Sequence, residues 1–260
     1  MTRVLAVTNQ KGGVGKTTTT VNLAASLATA GQRVLLIDLD PQGNATMGSG
    51  IDKRRLTRTV YQVLLGSSSL VEASVQSPHG GFDVIPANRD LAGAEVEMVD
   101  LDHRETRLKT ALATSMRTYD FVLIDCPPAL NLLTVNALCA ADAVMIPMQC
   151  EYYALEGLSD LVNTVKKVRA HLNPRLEIEG LLRTMFDTRN TLAMQVSEQL
   201  QSHFGDKVYR TVIPRNIRLA EAPSHGMPIL KYDRQSKGAL AYLALAGEIL
   251  QKQSSSSSGN

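Results

Sequence analysis

The sequence has no tryptophan, and only four phenylalanines and seven tyrosines in 260 residues. Aromatic side chains are too sparse for a stacking platform that would hold single-stranded nucleic acid. Cysteine is scarcer still. Cys126, Cys139 and Cys150 are an odd number with no Cys-x-x-Cys spacing, which excludes a disulfide framework and a cysteine zinc site and fits a reducing compartment. The five histidines are scattered without metal-ligand pairing. No apolar run is long enough to cross a bilayer, and no signal peptide precedes the first apolar stretch, Val4-Leu5-Ala6-Val7. A soluble, cytoplasmic protein is expected. Neither sign of charge dominates, since the formal net charge is +2, but its distribution is uneven. From Leu161 onward 14 Lys/Arg face 8 Asp/Glu, so the earlier part is net acidic.

What is present is a repeated alternation of short apolar runs and helical stretches. Strands are predicted at Val4–Thr8, Arg33–Asp38, Phe82–Pro86, Phe121–Asp125, Ala143–Pro147, Ile178–Met185 and Val208–Ile213. Helices are predicted at Lys16–Ala30, Arg89–Leu101, Arg104–Met116, Leu132–Ala140, Leu155–His171, Thr191–Phe204 and Ala239–Lys252. Continuous Val/Leu/Ile runs bounded by turn residues suit strands buried on both faces of a parallel sheet. The expectation is one α/β domain over residues 1–253, a doubly wound, mostly parallel sheet flanked by helices. Gly48–Gly81 is the least regular stretch and is expected to carry peripheral helices, with a turn at Ser67-Ser68-Ser69. The low-complexity tail Ser254–Asn260 is expected to be disordered.

The chemistry concentrates in three segments. Lys11-Gly12-Gly13-Val14-Gly15-Lys16-Thr17-Thr18 follows an apolar strand and opens a helix of good formers, the context of a phosphate-binding loop. Glycines let successive N–H groups curl toward a phosphate, and the helix N-terminus adds its positive end. Lys16 would reach the β- and γ-phosphates of ATP, and the Thr17 hydroxyl would ligate Mg²⁺. The usual pattern has glycine five residues before Gly15; here that position is Gln10, so the loop is of the deviant form, with Lys11 preceding Gly12-Gly13. Two apolar strands end in acids, Asp38-Leu39-Asp40 and Ile124-Asp125, where ligands of open α/β sheets sit. Asp125 is the candidate to hold the Mg²⁺ shell through water, and Asp40 to orient the attacking water.

These residues resemble the ParA/Soj family of partition ATPases. The resemblance runs from about Arg3 to Gln251 and is carried by Asn9–Thr18, Asp38–Thr46, Ile124–Pro128, Thr184–Arg189 and Val212–Ser224. It implies that Lys11 is the signature lysine that crosses a homodimer interface to the partner's phosphates in the ATP state. It implies that Pro214 and Asn216, with Arg215 between them, contact adenine, and that Glu151 can reach the partner's nucleotide. Arg189 and Arg218 match basic positions linked to non-specific binding of double-stranded DNA, and Lys231, Arg234 and Lys237 follow in a polar stretch. A nucleoid-associated switch that drives chromosome or plasmid partitioning, reset by slow hydrolysis that a ParB-like centromere-binding protein stimulates, is the implied function. The phosphate loop starts almost at once, without the helix-turn-helix extension of larger plasmid relatives, so operator-specific repression is not expected.

Three other functions share parts of this pattern. A MinD-like membrane-associated ATPase would end in a basic amphipathic helix, whereas Ala239–Lys252 reads as a packed helix with few cations. An iron protein of the nitrogenase-reductase type needs paired cysteines across a dimer, and Cys126 is better read as a small buried residue. An ATP-using ligase of the dethiobiotin-synthetase kind would need a metabolite pocket that the sequence does not define.

Overall fold

In each central strand, alternate residues enter two different cores. The computed structural model describes residues 2–114 and 118–257 of the chain. Val4 and Ala6 of β1 (Arg3–Val7) pack on one face of the sheet, while Leu5 and Val7 pack on the other. The same alternation holds in β2 (Val34–Asp38) and β5 (Phe121–Asp125), so both faces must be covered by helices. In chain order the remaining strands are β3 (Val75–Gln76), β4 (Asp83–Ile85), β6 (Ala143–Met148) and β7 (Glu177–Arg183). They form one seven-stranded sheet of order β3-β4-β2-β5-β1-β6-β7, parallel except for the β3–β4 pair.

The helices are α1 (Lys16–Thr29), α2 (Asn44–Gly48), α3 (Val60–Leu65), α4 (Leu70–Ala73), α5 (Leu91–Glu97), α6 (Arg107–Ala113) and α7 (Leu132–Ala140), then α8 (Ala154–His171), α9 (Thr191–Phe204), α10 (Ile217–Glu221), α11 (Ile229–Tyr232) and α12 (Lys237–Ser257). Helices α3 to α9 cover the face bearing Val4 and Ala6; α1, α2 and α10 to α12 cover the other. Helix α12 packs along α1, where the Tyr242 and Thr19 hydroxyls lie 3.2 Å apart. This is the doubly wound, mostly parallel α/β architecture expected. No described helix is long and apolar enough to cross a membrane.

The register places the site. Val7 pairs with Asp125, and Asp125 with Asp38, so three carboxyl ends are level in the middle of the sheet. Chain connections from β1 run toward β2, and those from β5 run toward β6, so the order reverses between β1 and β5. A crevice opens at such a reversal.

Several local expectations need correcting. Val208–Ile213 is not a strand. It runs beside β7 with only isolated bridges, Leu181 to Val208 and Phe186 to Pro214. Its middle is satisfied by side chains: the Glu248 carboxylate accepts the N–H groups of Arg210 and Thr211, and Arg183 donates to the carbonyls of Tyr209 and Arg210. The stretch Arg104–Met116 begins as a 3₁₀ turn at Arg104–Thr106 before α6, and Met116 lies outside the described residues. Gly48–Gly81 does carry the peripheral helices expected, the short α3 and α4, each opened by a capping box at Thr59 or Ser69. Ser69 is thus a helix cap as well as part of a turn. Helix α12 continues through Ser257, so the first serines of the tail have helical backbone; residues 258–260 lie outside the described residues.

Candidate nucleotide-binding site

Helix α1 begins without a side-chain cap. Its N-cap is Gly15, left-handed at φ 86°, a conformation that glycine adopts without strain, and no acid lies in its first turn. The first N–H groups of this fourteen-residue helix therefore open toward the crevice, as an anion-binding N-terminus requires. The loop before it is tied down on both sides. Asn9 accepts the Lys11 N–H and donates to the Pro147 carbonyl; Thr184 donates to the Val14 carbonyl at 2.8 Å, and Gln149 to that of Gly13 at 3.2 Å.

Lys16 is buried and donates to the Lys11 carbonyl at 3.0 Å. Burial lowers its ammonium pKa, and the Asp125 carboxylate works against that shift. Asp125 is fully buried and accepts hydrogen bonds from the hydroxyls of Thr17 (2.8 Å) and Thr20 (3.0 Å). Asp38 is equally buried on the neighbouring strand. Desolvation pushes both carboxyls up, and each resists the charge of its neighbours.

A cavity of 540 Å³ is lined by Gly12, Gly13, Gly15, Lys16, Thr17 and Thr18 on one side and by Asp40, Gln42 and Pro128 on the other. One Asp40 oxygen accepts the Gln42 N–H at 2.9 Å. A second, apolar cavity of 470 Å³ shares Gly15, Thr18 and Met185 with the first and reaches Ile213, Pro214, Arg215, Asn216 and Tyr242. The Asn216 side-chain oxygen caps α10 through the Leu219 N–H, so its amide NH₂ is the group left to meet a ligand. One polar cavity joined to one apolar cavity across a helix N-terminus has the shape and chemistry of a nucleoside polyphosphate site.

The donor set also suits Mg²⁺. This ion prefers hard oxygen ligands and keeps several waters, taking one or two protein oxygens beside the substrate phosphates. Thr17 and Asp125 offer such oxygens, and no cluster of three His/Cys/Asp/Glu that would form an all-protein cage occurs among the described residues. Cys126 faces the core, and burial pushes its thiol far up, away from a thiolate ligand.

The other expected residues lie at the rim or beyond it. Lys11 is half-exposed and pairs with Glu151 at 2.5 Å, outside the lining of its own phosphate cavity. Arg189 pairs with Asp187 at 2.8 Å; Arg218 pairs with Glu221 at 2.9 Å and with Asp233 at 3.5 Å. Lys231, Arg234 and Lys237 are exposed. Sequence reasoning missed Thr20 and Gln149, and it quoted Asp38, Thr46 and Thr184 within motifs without giving them a role. Thr20 had a local signal, since it follows Thr17 by three residues on one helix face.

The fold and this site define a P-loop ATPase that uses ATP and Mg²⁺. A family model described as an AAA domain matches residues 2–178. The chain is 57% identical over 249 residues to the sporulation initiation inhibitor protein Soj of Bacillus subtilis, covering 96% of this chain and 98% of that one. It is 54% identical over 253 residues to the chromosome partitioning protein ParA of Caulobacter vibrioides, covering 96% and 95%. A solved structure from Mycobacterium smegmatis, named cobyrinic acid a,c-diamide synthase and holding ADP and magnesium, superposes with a TM-score of 0.87 at 41% identity, covering 98% of this chain and 97% of that one. The chain belongs to the ParA/Soj family of ATPases.

Proposed function

We propose that this ATPase is a dimerising switch that partitions chromosomes, binding duplex DNA non-specifically in its ATP state. The observation that carries the reading is the position of Lys11. A cation beside the phosphate loop stands outside its own phosphate cavity and is held at the exposed rim by Glu151. This supports the reading that Lys11 serves a second nucleotide across a two-fold interface, where two protomers each supply the charge that the other lacks. A trans cation of this kind is worth roughly 10³–10⁵ in rate in related phosphoryl transfers.

Within one protomer, the loop N–H groups of Gly12 to Thr18 and the Lys16 ammonium bind the phosphates. Thr17 and, through water, Asp125 hold Mg²⁺, which neutralises charge on the phosphate oxygens when bound. Asp40, anchored through one oxygen by the Gln42 N–H, orients water with the other. The water oxygen bonds to the γ-phosphorus, the bond to the β–γ bridging oxygen breaks, and ADP and phosphate leave. Pro214, Arg215 and Asn216 hold the base, with Glu151 reaching the partner's nucleotide. Arg189, Arg218, Lys231 and Arg234 meet DNA phosphates once dimerisation doubles their number. Hydrolysis, slow alone and stimulated by a ParB-like partner, resets the switch on the nucleoid in the cytoplasm. The packing of α12 against α1 supports this reading over a MinD-like one, because the apolar face of that helix is already used.

Light scattering with ATP tests the proposal. Wild type should double its mass, while Lys11→Ala should bind ATP and stay monomeric. A fully dimeric variant would make Lys11 an ordinary surface lysine. Turnover raised by cobyrinic acid, and not by DNA, would instead favour the activity for which the Mycobacterium neighbour is named.

A further inference from the structure

Helix α2 starts at Gly43, which has no side chain with which to cap it. Its first-turn donors nonetheless find an acceptor, supplied by a different element. The buried carboxylate of Asp38, at the end of β2, accepts the Thr46 N–H at 2.8 Å and the Thr46 hydroxyl at 2.7 Å through Oδ2. Its Oδ1 accepts the Asp40 N–H at 3.2 Å. The Thr46 hydroxyl in turn accepts the Ala87 N–H at 2.9 Å, just beyond β4. Asp38, Thr46 and Ala87 are all fully buried. One carboxylate thus grips both ends of the segment Asp40–Thr46 and ties it to the neighbouring strand.

That segment carries Asp40, and it turns tightly. Gly43 has φ 62°, and a Cβ there would come 2.7 Å from the Ala87 carbonyl oxygen, so the turn lies directly against the same strand end. The Asp40 carboxylate makes only the short-range bond to the Gln42 N–H. No side chain outside the segment holds it among the described residues. Its position in the phosphate cavity is therefore inherited from its backbone.

We propose that Asp38 is the positioning residue for hydrolysis, acting with Thr46 as the clamp that aims Asp40 at the γ-phosphate without touching nucleotide. This rests on the reading that Asp40 orients the attacking water. Loss of the clamp should leave ATP binding intact, because the phosphate loop, α1 and the base cavity make no bond to it. The rate should fall, because displacing a catalytic group by about 1 Å can cost on the order of 10²-fold.

The test compares wild type with Asp38→Asn, Thr46→Val, Thr46→Ser and Asp40→Ala. Each is measured for ATP affinity, Mg-ATP turnover and thermal midpoint. Asp38→Asn and Thr46→Val should each lose at least about tenfold in kcat with KM nearly unchanged, whereas Thr46→Ser, which keeps the hydroxyl, should retain most of the rate. Asp40→Ala is the control for the underlying reading. If it retains turnover, the role of Asp40 is wrong and the clamp has nothing to aim. If Asp40→Ala is inactive while Asp38→Asn and Thr46→Val hydrolyse ATP normally, the positioning role fails alone. Should Asp38→Asn be too unstable to purify, Thr46→Val against Thr46→Ser decides. Equal rates in that pair, or a loss in Thr46→Val confined to KM, would overturn the inference.

Discussion

Asp38 and Arg218 both carry charge and both adjoin segments that the site uses, yet they are held in opposite ways. Asp38 is fully buried, with three hydrogen bonds from two residues of the segment Asp40–Thr46. Arg218 is half-exposed and shared between two carboxylates, Glu221 and Asp233. A buried carboxylate left unpaired costs several kcal/mol, so its partners are fixed by the fold. A surface ion pair is worth about 0–1 kcal/mol, so its partner can be exchanged for water or for a phosphate. The nucleotide site therefore arrives preassembled, whereas the basic surface is one arrangement among several of similar energy. Arg189, bound to Asp187, belongs to the second kind.

The buried region should respond sharply to single changes. Lys16→Ala removes the buried ammonium that faces the phosphate cavity, and ATP affinity should fall by about 30-fold or more, read by titration with a fluorescent ATP analogue. Affinity close to wild type would show that the backbone of the loop suffices, and would blur the contrast with the surface.

The surface should respond in graded fashion. If an ATP dimer neutralises about six phosphates, log affinity for random duplex should fall against log salt with a slope near −5. Arg218→Glu removes one contact per protomer and should flatten that slope by about 2. Asp187→Asn gives the sharper test, since it frees Arg189 and should tighten DNA binding at low salt. Unchanged binding in both variants would leave Arg189 and Arg218 as ordinary solvated pairs.

The smallest effect is expected where an exposed pair has no functional neighbour. Asp120 accepts three hydrogen bonds from Arg33, which hold its carboxyl down at about 2. A depressed carboxyl contributes stability above the ordinary carboxylate range and loses it as pH falls from about 4 toward 2. Asp120→Asn should lower the thermal midpoint by no more than about 4 °C at neutral pH, a difference that disappears in strong acid. A larger drop would place this pair with the buried groups.

The elements that were legible in the sequence are those with strong periodicity and clear ends. Leu132–Ala140 and Thr191–Phe204 match their predicted bounds, each opened by an asparagine cap, Asn131 or Asn190. Val208–Ile213 misled because it has strand composition, while the N–H groups of Arg210 and Thr211 and the carbonyls of Tyr209 and Arg210 are taken by the side chains of Glu248 and Arg183. The two-residue β3 and the short α10 and α11 carry too little pattern to stand out.

The sequence by itself determined the phosphate loop, the two acidic strand ends and the alternation that builds a doubly wound sheet. These are local patterns, read within a turn or a strand. Tertiary structure alone decided which groups Asp38 serves, which carbonyls bind Gln149 and Thr184, and that Lys11 meets Glu151 from 140 residues away. Such pairings are set by strand order and register, which bring Val7, Asp125 and Asp38 level, and no spacing along the chain encodes them.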